Sequence, residues 1–466
     1  MTSARRARAR TRLDPARQAA YAALRAVDVD DAYLNLTLPT LLSGSELTGR
    51  DAAFTTELAN GTVRMQGLYD VILARCLSGG DGVASLQPEV LTALRLGTHQ
   101  ILGMRVPSHA AVGTSVELVR AAVGERPVRL VNAVLRRVAA TPLDQWLDEV
   151  APAGHTGDLA SLALRHSHPR WVVDAFAKAL AAAGIADAEL PLLLAADNRA
   201  PLVTLAVRPG LATFAQLAEY GVEPGRFSPY AGVLPGGDPR DLAELRAGTV
   251  GVQDEGSQLA ALLTARAEVA GRDGRWLDLC AGPGGKAALL TGLARQRGAT
   301  LVASELLPHR AALVSRALRA YRQPVALLAA DATSPAWSAG AFDRVLVDAP
   351  CTGLGALRRR PEARWRRTPD DLRALVPRQR RLLESALEAV RPGGTVAYVT
   401  CSPHLEETRG VVDAVLAALP DVHEEDATAV LPDVPDTGPG PHVQLWPHRH
   451  GTDAMFMALL RRGERG

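Results

Sequence analysis

The sequence predicts an α/β protein in which two smaller regions precede the main domain. From Gly248 onward, short apolar runs alternate with helical patterns, which is the rhythm of a parallel sheet flanked by helices. Before about residue 140, apolar residues instead recur at helical spacing. A chain of 466 residues is also too long for a single hydrophobic core. We therefore expect a helical domain over 13–145, a small α+β module over 160–245 and a doubly wound α/β domain over 246–466.

The N-terminal region is predicted to be helical because its apolar residues lie three or four positions apart. Glycine and proline interrupt this pattern at Gly44, at 79–82, at Pro107 and at Gly124, which predicts breaks between helices at these points. A later segment, 126–137, combines an apolar stripe with four arginines. It is either a surface helix or a helix that faces a polyanion.

Six strands are predicted in the main domain, with helical patterns between them. They lie at 275–279, 300–304, 325–328, 343–348, 394–400 and near 454–460. Because parallel strands of an open sheet collect ligands beyond their carboxyl ends, the residues that follow these strands are the candidates for a functional site.

A glycine-rich loop follows the first of these strands and precedes a helix. It contains Cys280, Ala281, Gly282, Pro283, Gly284, Gly285 and Lys286. Its glycines allow the backbone to approach a nucleotide closely, with N–H groups directed at it. It is not a Walker A loop, because Cys280 stands where glycine is required and Ala287 replaces the hydroxyl that holds magnesium. Lys286 is one of only two lysines among 52 cationic residues, which suggests that the loop needs a compact ammonium group.

Acidic residues follow the next three predicted strands, at Glu305, Asp331 and Asp348. Glu305 is placed to accept hydrogen bonds from both ribose hydroxyls of an adenosine, and Asp331 from the adenine amino group. The ligand at such a site is either a dinucleotide or S-adenosylmethionine (SAM).

Two thiols follow predicted buried strands, Cys351 after Pro350 and Cys401 after Thr400. Two thiols and the Asp348 carboxyl suit methyl transfer to C5 of cytosine, which is a weak carbon nucleophile. A thiolate that adds to C6 makes C5 nucleophilic, and a base must later remove the C5 proton. Lys286 or an arginine would have to lower the pKa of the attacking thiol. Asp348 would share or donate a proton at N3. This chemistry favours SAM as the cofactor.

These segments resemble the RNA (cytosine-5) methyltransferases of the Nol/Nop/Sun superfamily, whose thiols also follow Pro and Thr. The resemblance covers about 248–466, including the segment 252–258, and it extends upstream to 167–171 and 198–201. The helical N-terminal region is similar to the antitermination factor NusB. A NusB-like domain before this catalytic part is the architecture of the bacterial Sun/Fmu (RsmB-type) enzymes, whose substrate is 16S ribosomal RNA.

The resemblance implies a Rossmann-like class I SAM methyltransferase domain with defined roles for its residues. Cys401 would be the nucleophile and Cys351 the base that releases the product. Glu305, Asp331, Asp348 and the glycine loop from Cys280 to Lys286 would hold SAM. Many members have Asp where Glu305 stands and Ala where Gly282 stands, so the longer Glu305 side chain leaves its ribose geometry open.

An arginine-rich segment directly after Cys351 is the candidate RNA-binding element. It contains Arg358, Arg359, Arg360, Arg364, Trp365, Arg366 and Arg367. The arginines would neutralise phosphates, and Trp365 would stack on an unpaired base. A solvated charged loop is the alternative. The target cytosine has to leave its stack, because C5 and C6 are otherwise out of reach.

The remaining expectations concern the setting of the enzyme. With 47% hydrophobic residues, 22% charged residues and no apolar run of membrane length, we expect a cytoplasmic monomer without membrane contact. Residues 1–12 contain five arginines and are expected to be a disordered basic tail, which either contacts RNA phosphates or is only solvated. A mitochondrial transit peptide is the alternative. Four cysteines without CxxC spacing argue against zinc and disulfides. The His-rich stretch 442–450 is expected to be a solvated loop rather than a metal site.

Three alternatives to this function stay open. The same chemistry on transfer RNA is one. A second has the thiol roles reversed, since DNA cytosine-5 methyltransferases attack with the thiol that follows Pro. The third is a non-catalytic ribosomal RNA-binding assembly factor built on a decayed enzyme.

Overall fold

The computed structural model describes residues 13–30, 32–79, 81–152 and 158–463, so the predicted basic tail lies outside the described residues. The chain divides into two compact units. The first holds the described residues up to Val173 together with Arg359–Glu362, and the second holds Asp174–Arg358 and the residues from Ala363 onward. Within the described ranges, no helix is both long and apolar enough to cross a bilayer.

The first unit is helical, as the apolar spacing predicts. Its helices are α1 (Pro15–Val29), α2 (Leu34–Ser43), α3 (Gly49–Arg64), α4 (Gln66–Cys76), α5 (Pro88–Leu102), α6 (Ser108–Ala122), α7 (Val128–Ala140), α8 (Leu143–Val150), α9 (Leu159–Arg165) and the start of α10 (Arg170–Ala182). Leu68, Ile72, Leu94 and Leu135 are fully buried between them. The predicted breaks fall between helices, because glycine ends a helix readily and proline fits only its first turn.

The second unit begins with a small antiparallel sheet. After α10 and α11 (Leu190–Asp197), its strands are β1 (Val203–Val207), β2 (Glu223–Pro224), β3 (Ala231–Leu234) and β4 (Val250–Val252). They are hydrogen-bonded in the order β2-β3-β1-β4. Leu205 and Val207 of β1 pack against Leu217 and Leu234 to form a separate small core.

A larger, mostly parallel sheet follows. Its strands are β5 (Arg275–Asp278), β6 (Thr300–Glu305), β7 (Ala326–Ala329), β8 (Phe342–Asp348), β9 (Val390–Thr400), β10 (Val422–Glu425), β11 (Val443–Gln444) and β12 (Phe456–Arg462). The order is β10-β12-β9-β8-β5-β6-β7, with β11 beside β12. The five strands from β5 to β9 are parallel, and β10, β11 and β12 pair antiparallel. This is the Rossmann-like arrangement that the sequence predicts.

Helices cover both faces of this sheet. The remaining helices of the second unit are α12 (Ala243–Ala247), which packs beside β4 of the small sheet, α13 (Glu255–Arg266), α14 (Gly285–Gln296), α15 (Pro308–Leu318), α16 (Ala363–Arg366), α17 (Pro369–Ala389), α18 (Arg409–Ala418), α19 (Ala427–Val430) and α20 (Pro447–His450). Helices α13, α14 and α15 share one apolar core, and α17 and α18 share another. The central strands β8 and β9 are therefore largely buried on both sides, which explains their continuous apolar runs, whereas the edge strand β7 is more exposed.

The chain reverses its direction of winding between β5 and β8. From β5 it moves outward through β6 and β7, and then returns to β8 on the other side of β5. Such a switch point opens a crevice beyond the carboxyl ends of the two strands, where ligands bind in open α/β sheets. Asp278 ends β5 and Asp348 ends β8.

Two features of the C-terminal part differ from the sequence prediction. The sequence analysis does not identify β10 and β11, because they are short and draw their regularity from pairing with β12 rather than from their own pattern. The His-rich stretch is not a solvated loop: Trp446 and His450 are buried, and His450 Nε2 lies 2.9 Å from the Pro435 carbonyl oxygen. Burial lowers the pKa of His450, which keeps its ring neutral.

Gly355 provides a test of the packing between the two cysteine-containing segments. Its amide donates to the Cys401 carbonyl oxygen, and its own carbonyl oxygen accepts from the Ala454 amide, both at 2.9 Å. A Cβ on Gly355 would overlap the Ala454 carbonyl oxygen, which is backbone and cannot rotate away. We expect Gly355→Ala to lower the free energy of unfolding by about 2–3 kcal/mol in urea titrations.

The matched control is Gly236→Ala, because Gly236 has open space around its missing Cβ. Its unfolding free energy should stay within about 0.5 kcal/mol of the wild type. Equal effects at both glycines would contradict the close approach at Gly355.

Candidate active site

The glycine loop connects β5 to α14 and brings the backbone close to α15. Gly284 adopts a φ of 111°. A Cβ there would lie 2.6 Å from the Ala317 Cβ and 2.9 Å from the Val314 Cα. Only glycine meets both constraints. The Ala281 amide donates to the Ser304 carbonyl oxygen (2.8 Å) and fixes the loop to β6. Since the first amides of a helix lack intrahelical acceptors, the loop presents N–H donors at the positive end of α14.

Glu305 ends β6 and turns its carboxylate back toward the glycine loop. Oε2 accepts a hydrogen bond from the Gly282 amide (3.0 Å), and Oε1 accepts one from the Leu307 amide (3.1 Å). Arg310 Nη1 lies 3.8 Å from Oε1. A carboxylate oxygen accepts more than one hydrogen bond, so the group retains capacity for two ribose hydroxyls. The extra methylene of Glu305 fits because residue 282 is glycine, and a Cβ at that position would overlap Oε2.

Asp331 lies just beyond β7, next to the end of β6. Its Oδ1 accepts hydrogen bonds from the Thr333 amide (2.9 Å) and the Thr333 hydroxyl (2.8 Å). These bonds hold the pKa of Asp331 below its usual value, so the carboxylate is ionised at neutral pH. A fixed, charged acceptor suits the amino group of an adenine.

Lys286 and Asp348 form an ion pair at the switch point. Lys286 Nζ donates to Asp348 Oδ2 at 2.8 Å and to Ser257 Oγ at 3.4 Å. Burial opposes the charge on Lys286, but the Asp348 carboxylate and the Cys401 thiol outweigh it and raise the pKa of Lys286. The ammonium group therefore stays charged beside both groups.

Asp278 lies behind this ion pair and is fully buried. Neither of its carboxyl oxygens has a hydrogen-bond partner among the described residues. Burial, followed by the negative charge of Asp348, raises the pKa of Asp278 to about 8. Asp278 is thus mainly protonated at neutral pH, and Asp348 is the carboxylate that Lys286 neutralises.

The two predicted catalytic thiols lie in direct contact, with 3.4 Å between Cys351 Sγ and Cys401 Sγ. The hydrogen bond to Cys401, followed by burial, raises the pKa of Cys351 well above its usual value. Cys351 therefore keeps its proton, and Cys401 is the thiol on which the Lys286 ammonium acts. The third thiol of the site, Cys280, has its pKa raised by burial and by nearby carboxylates, so it stays protonated and unreactive.

A buried carboxylate, Glu407, connects the loops that carry the two thiols. It accepts hydrogen bonds from the Thr352 amide (2.7 Å), from the Thr352 hydroxyl (2.5 Å) and from Gln379 Nε2 (3.0 Å). Gln379 Nε2 also donates to the Pro350 carbonyl oxygen (2.9 Å), and Thr352 Oγ1 lies 3.1 Å from Ser402 Oγ. The network fixes the positions next to Cys351 and Cys401.

Sequence reasoning does not identify Glu407. It stands beside Glu406, which is exposed, and nothing in the local pattern separates the two. A charged residue at zero exposure is rare unless its acceptors are saturated, but that condition becomes visible only in three dimensions.

Two arginines of the predicted RNA-binding segment are structural instead. Arg358 is buried and donates to Asp254 Oδ2 (2.8 Å) and Asp453 Oδ1 (3.3 Å). Arg364 is fully buried and donates to Asn198 Oδ1 (2.8 Å). Both side chains are turned away from solvent, which argues against the predicted contact of these two residues with phosphates.

The other members of the segment are accessible to different degrees. Arg359 and Arg360 belong to the first unit, and Arg360 is exposed. Trp365, Arg366 and Arg367 belong to the second unit and are half-buried. Arg367 Nη1 pairs with Asp371 Oδ1 at 3.0 Å. Their contact with RNA stays a prediction.

Comparison with known proteins agrees with this architecture. Residues 268–461 match the family described as 16S rRNA methyltransferase RsmB/F, and residues 14–140 match the NusB family. The fold is similar to the crystal structure of PH0851, with a TM-score of 0.78 and 22% identity over 97% of this chain and 99% of that chain. It is also similar to NSun6 from Pyrococcus horikoshii, with a TM-score of 0.51 and 18% identity over 64% of this chain and 99% of that chain.

Several bacterial proteins are similar to this chain along nearly its whole length. The putative methyltransferase Rv1407 of Mycobacterium tuberculosis is 51% identical over 99% of this chain and 100% of its own length. The probable ribosomal RNA small subunit methyltransferase B of Bacillus subtilis is 30% identical over 96% of this chain and 98% of its own. The corresponding enzyme of Pseudomonas syringae is 31% identical over 95% and 96%.

The fold and the site together define a SAM-dependent methyltransferase that acts on RNA. Within this class, the similarity along nearly the whole chain to methyltransferase B proteins identifies the family. The chain belongs to the RsmB/F family of methyltransferases.

The fit between Gly282 and Glu305 can be tested by exchanging both residues. Gly282→Ala should weaken SAM binding about tenfold, because the new methyl group displaces the Glu305 carboxylate from the ribose side of the loop. Adding Glu305→Asp removes the overlap, so the double variant should recover most of the affinity. Calorimetric titration with SAM measures each value. Additive losses in the double variant would show that the two residues do not share this space.

The Glu407 network predicts a defect in catalysis rather than in cofactor binding. Glu407→Gln places an amide NH₂ among three donors, which leaves buried groups unpaired and shifts the two thiol loops. We expect kcat to fall by about 100-fold, with KM for SAM nearly unchanged. Glu406→Gln, next to it and exposed, is the control and should behave as the wild type. A KM effect without a kcat effect would contradict the positioning role.

Proposed function

We propose that the enzyme forms 5-methylcytosine in 16S ribosomal RNA through a covalent bond between Cys401 and C6 of the target cytosine. The observation that carries this proposal is the contact between the Cys351 and Cys401 thiols beside the Lys286–Asp348 ion pair. One thiol holds a proton and the other lies next to an ammonium group, which is the asymmetry that a nucleophile and its partner base need. The relatives named small subunit methyltransferase B support 16S rRNA as the substrate.

The first step is the attack of the Cys401 thiolate on C6. The Lys286 ammonium stabilises the thiolate, and the Cys351 S–H donates to it. As the Sγ–C6 bond forms, the ring gains electron density, and N3 takes up a proton that Asp348 passes on from the Lys286 ammonium group. SAM supplies an electrophilic methyl group on its sulfonium when it is bound. The electron pair at C5 forms the new C–CH₃ bond while the S–CH₃ bond breaks.

The second step releases the product. Once Cys401 is a thioether, it no longer accepts a strong hydrogen bond from Cys351 or repels negative charge on it, so the two main electrostatic causes of the raised Cys351 pKa disappear. Cys351 first releases its proton to solvent, which is the one proton that the net reaction sets free, and its thiolate then takes the proton from C5. The C5–H electron pair restores the C5–C6 double bond, the Cys401 thiolate leaves, and N3 returns its proton through Asp348 to Lys286.

Binding of the RNA is proposed to involve both units. Arg359, Arg360, Trp365, Arg366 and Arg367 would contact phosphates and an unpaired base. The NusB-like helical domain, predicted over 13–145, would add a second RNA contact. The target cytosine must leave its stack before the thiol can reach C6. A ribosomal RNA substrate fits a cytoplasmic enzyme, and the proposal needs only a monomer.

Denaturing gel electrophoresis of cysteine variants incubated with 16S RNA and SAM tests the mechanism. Cys351→Ser should accumulate a covalent protein–RNA adduct, because the adduct forms but its C5 proton is not removed. Cys401→Ser should form no adduct and lose methyl transfer by at least about 10⁴-fold. Cys76→Ser is the matched control and should form adduct and product as the wild type does, because Cys76 belongs to α4 of the first unit and not to the thiol site or the cofactor loop.

Other outcomes select among the alternatives. An adduct that forms only in Cys401→Ser would reverse the thiol roles. If adduct and methylation occur with transfer RNA but not with 16S RNA or the small ribosomal subunit, the substrate is transfer RNA. RNA binding without any methylation in the wild type would indicate an assembly factor.

A further inference from the structure

Arg208, directly after β1, is a buried cation without an acidic partner. Only 7% of its surface is exposed. Its Nη1 donates to the carbonyl oxygens of Gly248 and Ala317. No carboxylate among the described residues pairs with it, and Nε and Nη2 make no hydrogen bond there. Burial lowers the pKa of Arg208, Tyr321 opposes this effect, and the positive charge of Arg319 adds to it. Buried charges are normally paired, so this arrangement requires an anion from elsewhere.

The unpaired edge of this guanidinium lies at a cavity of about 200 Å³. Arg208 Nη2 lies over Gly251, 3.2 Å from where a Cβ would stand, and glycine at this position keeps the space open. The cavity is large enough for a small anionic group and is otherwise lined partly by apolar side chains such as Leu289. A guanidinium with two free donors side by side has the geometry that binds carboxylate or phosphate oxygens.

Gln253 also lines this cavity, and its side chain carries a second donor. It is also 7% exposed, and its Nε2 has no hydrogen-bond partner among the described residues. The side chain lies against Gly285, 3.4–3.7 Å from the position of a Cβ there. Gly285 begins α14, so the positive end of this 12-residue helix adds to the potential. Three independent features thus favour negative charge in one place.

The cavity is separate from the site of the thiols and the ribose carboxylate. It touches the glycine loop only at Pro283 and Gly285, and Glu305, Asp348 and Cys401 do not line it. We propose that the cavity between β1, β4 and α14 is an anion subsite, in which Arg208 and Gln253 bind a carboxylate or phosphate group. Two sources have this chemistry, the α-carboxylate of the cofactor and a phosphate group bound independently of it.

The test uses thermal unfolding of the full-length protein in sodium phosphate, compared with sodium chloride at equal ionic strength. The wild type should be stabilised by phosphate beyond the effect of chloride. Gln253→Met removes only an unpartnered donor, so it should unfold at the same or a higher temperature without phosphate. It should nevertheless bind phosphate about tenfold more weakly.

Gln253→Glu is the complementary variant, because it places a carboxylate beside Arg208. It should be more stable than the wild type in chloride and gain nothing further from phosphate. The same phosphate effect in the wild type and both variants, or a lower unfolding temperature for Gln253→Glu in chloride, would overturn the proposal.

Titration with SAM and with decarboxylated SAM separates the two sources. If the cofactor carboxylate occupies the subsite, Gln253→Met weakens SAM binding about tenfold and leaves decarboxylated SAM unaffected. If the phosphate binds independently, both cofactors bind the variant as they bind the wild type, and phosphate does not compete with SAM. These readouts do not depend on methyl transfer, so they stay informative whichever base the enzyme modifies.

Discussion

The partly buried ion pair between Lys286 and Asp348 is the constraint on which the site depends. It joins the first turn of α14 to the end of β8, and so ties the cofactor loop to the strand that leads to Cys351. Removing charges from water is costly, and the pair persists because each partner neutralises the other at 2.8 Å. Loss of either residue would leave a partly buried charge uncompensated.

The chain's preference for arginine makes this lysine informative. A guanidinium presents a wide planar fork, whereas an ammonium group is a compact charge with donors in several directions. Lys286 uses that property to reach Asp348 and Ser257 while it also acts on Cys401. Asp278 is protonated and therefore neutral, so the single Lys286 cation has only the Asp348 carboxylate to neutralise. An ionised Asp278 would compete with Asp348 for that cation.

The sequence predicted those parts of the structure that local pattern determines. The parallel strands, the glycine loop and the acids at strand ends follow from apolar runs and from the residues that end them. The burial of Arg358 and Arg364 could not be predicted. The local sequence around an arginine is the same whether its side chain is exposed to solvent or pairs with a residue far away in the chain. Asp254 and Asp453, the partners of Arg358, lie about 100 residues away on either side.

Glu407 and Arg208 escaped prediction for a related reason. Each is a charged residue whose role depends on what surrounds it: Glu407 accepts hydrogen bonds from several donors, and Arg208 has no acidic partner among the described residues. Composition and spacing report neither condition. Charged residues are predicted to lie at the surface unless a partner is known. Buried charged residues are therefore the ones whose roles only the three-dimensional structure reveals.

The contact between Gly282 and Glu305 also limits how such a sequence can have diverged. Alanine at position 282 is compatible with a short acid at position 305, and glycine is compatible with either length. Alanine with the long acid is the one combination that overlaps. A sequence that starts with alanine at position 282 and aspartate at position 305 can therefore reach glycine and glutamate in only one order. The change to glycine at position 282 has to come first. Once glutamate is established, position 282 is held at glycine by a residue 23 positions away.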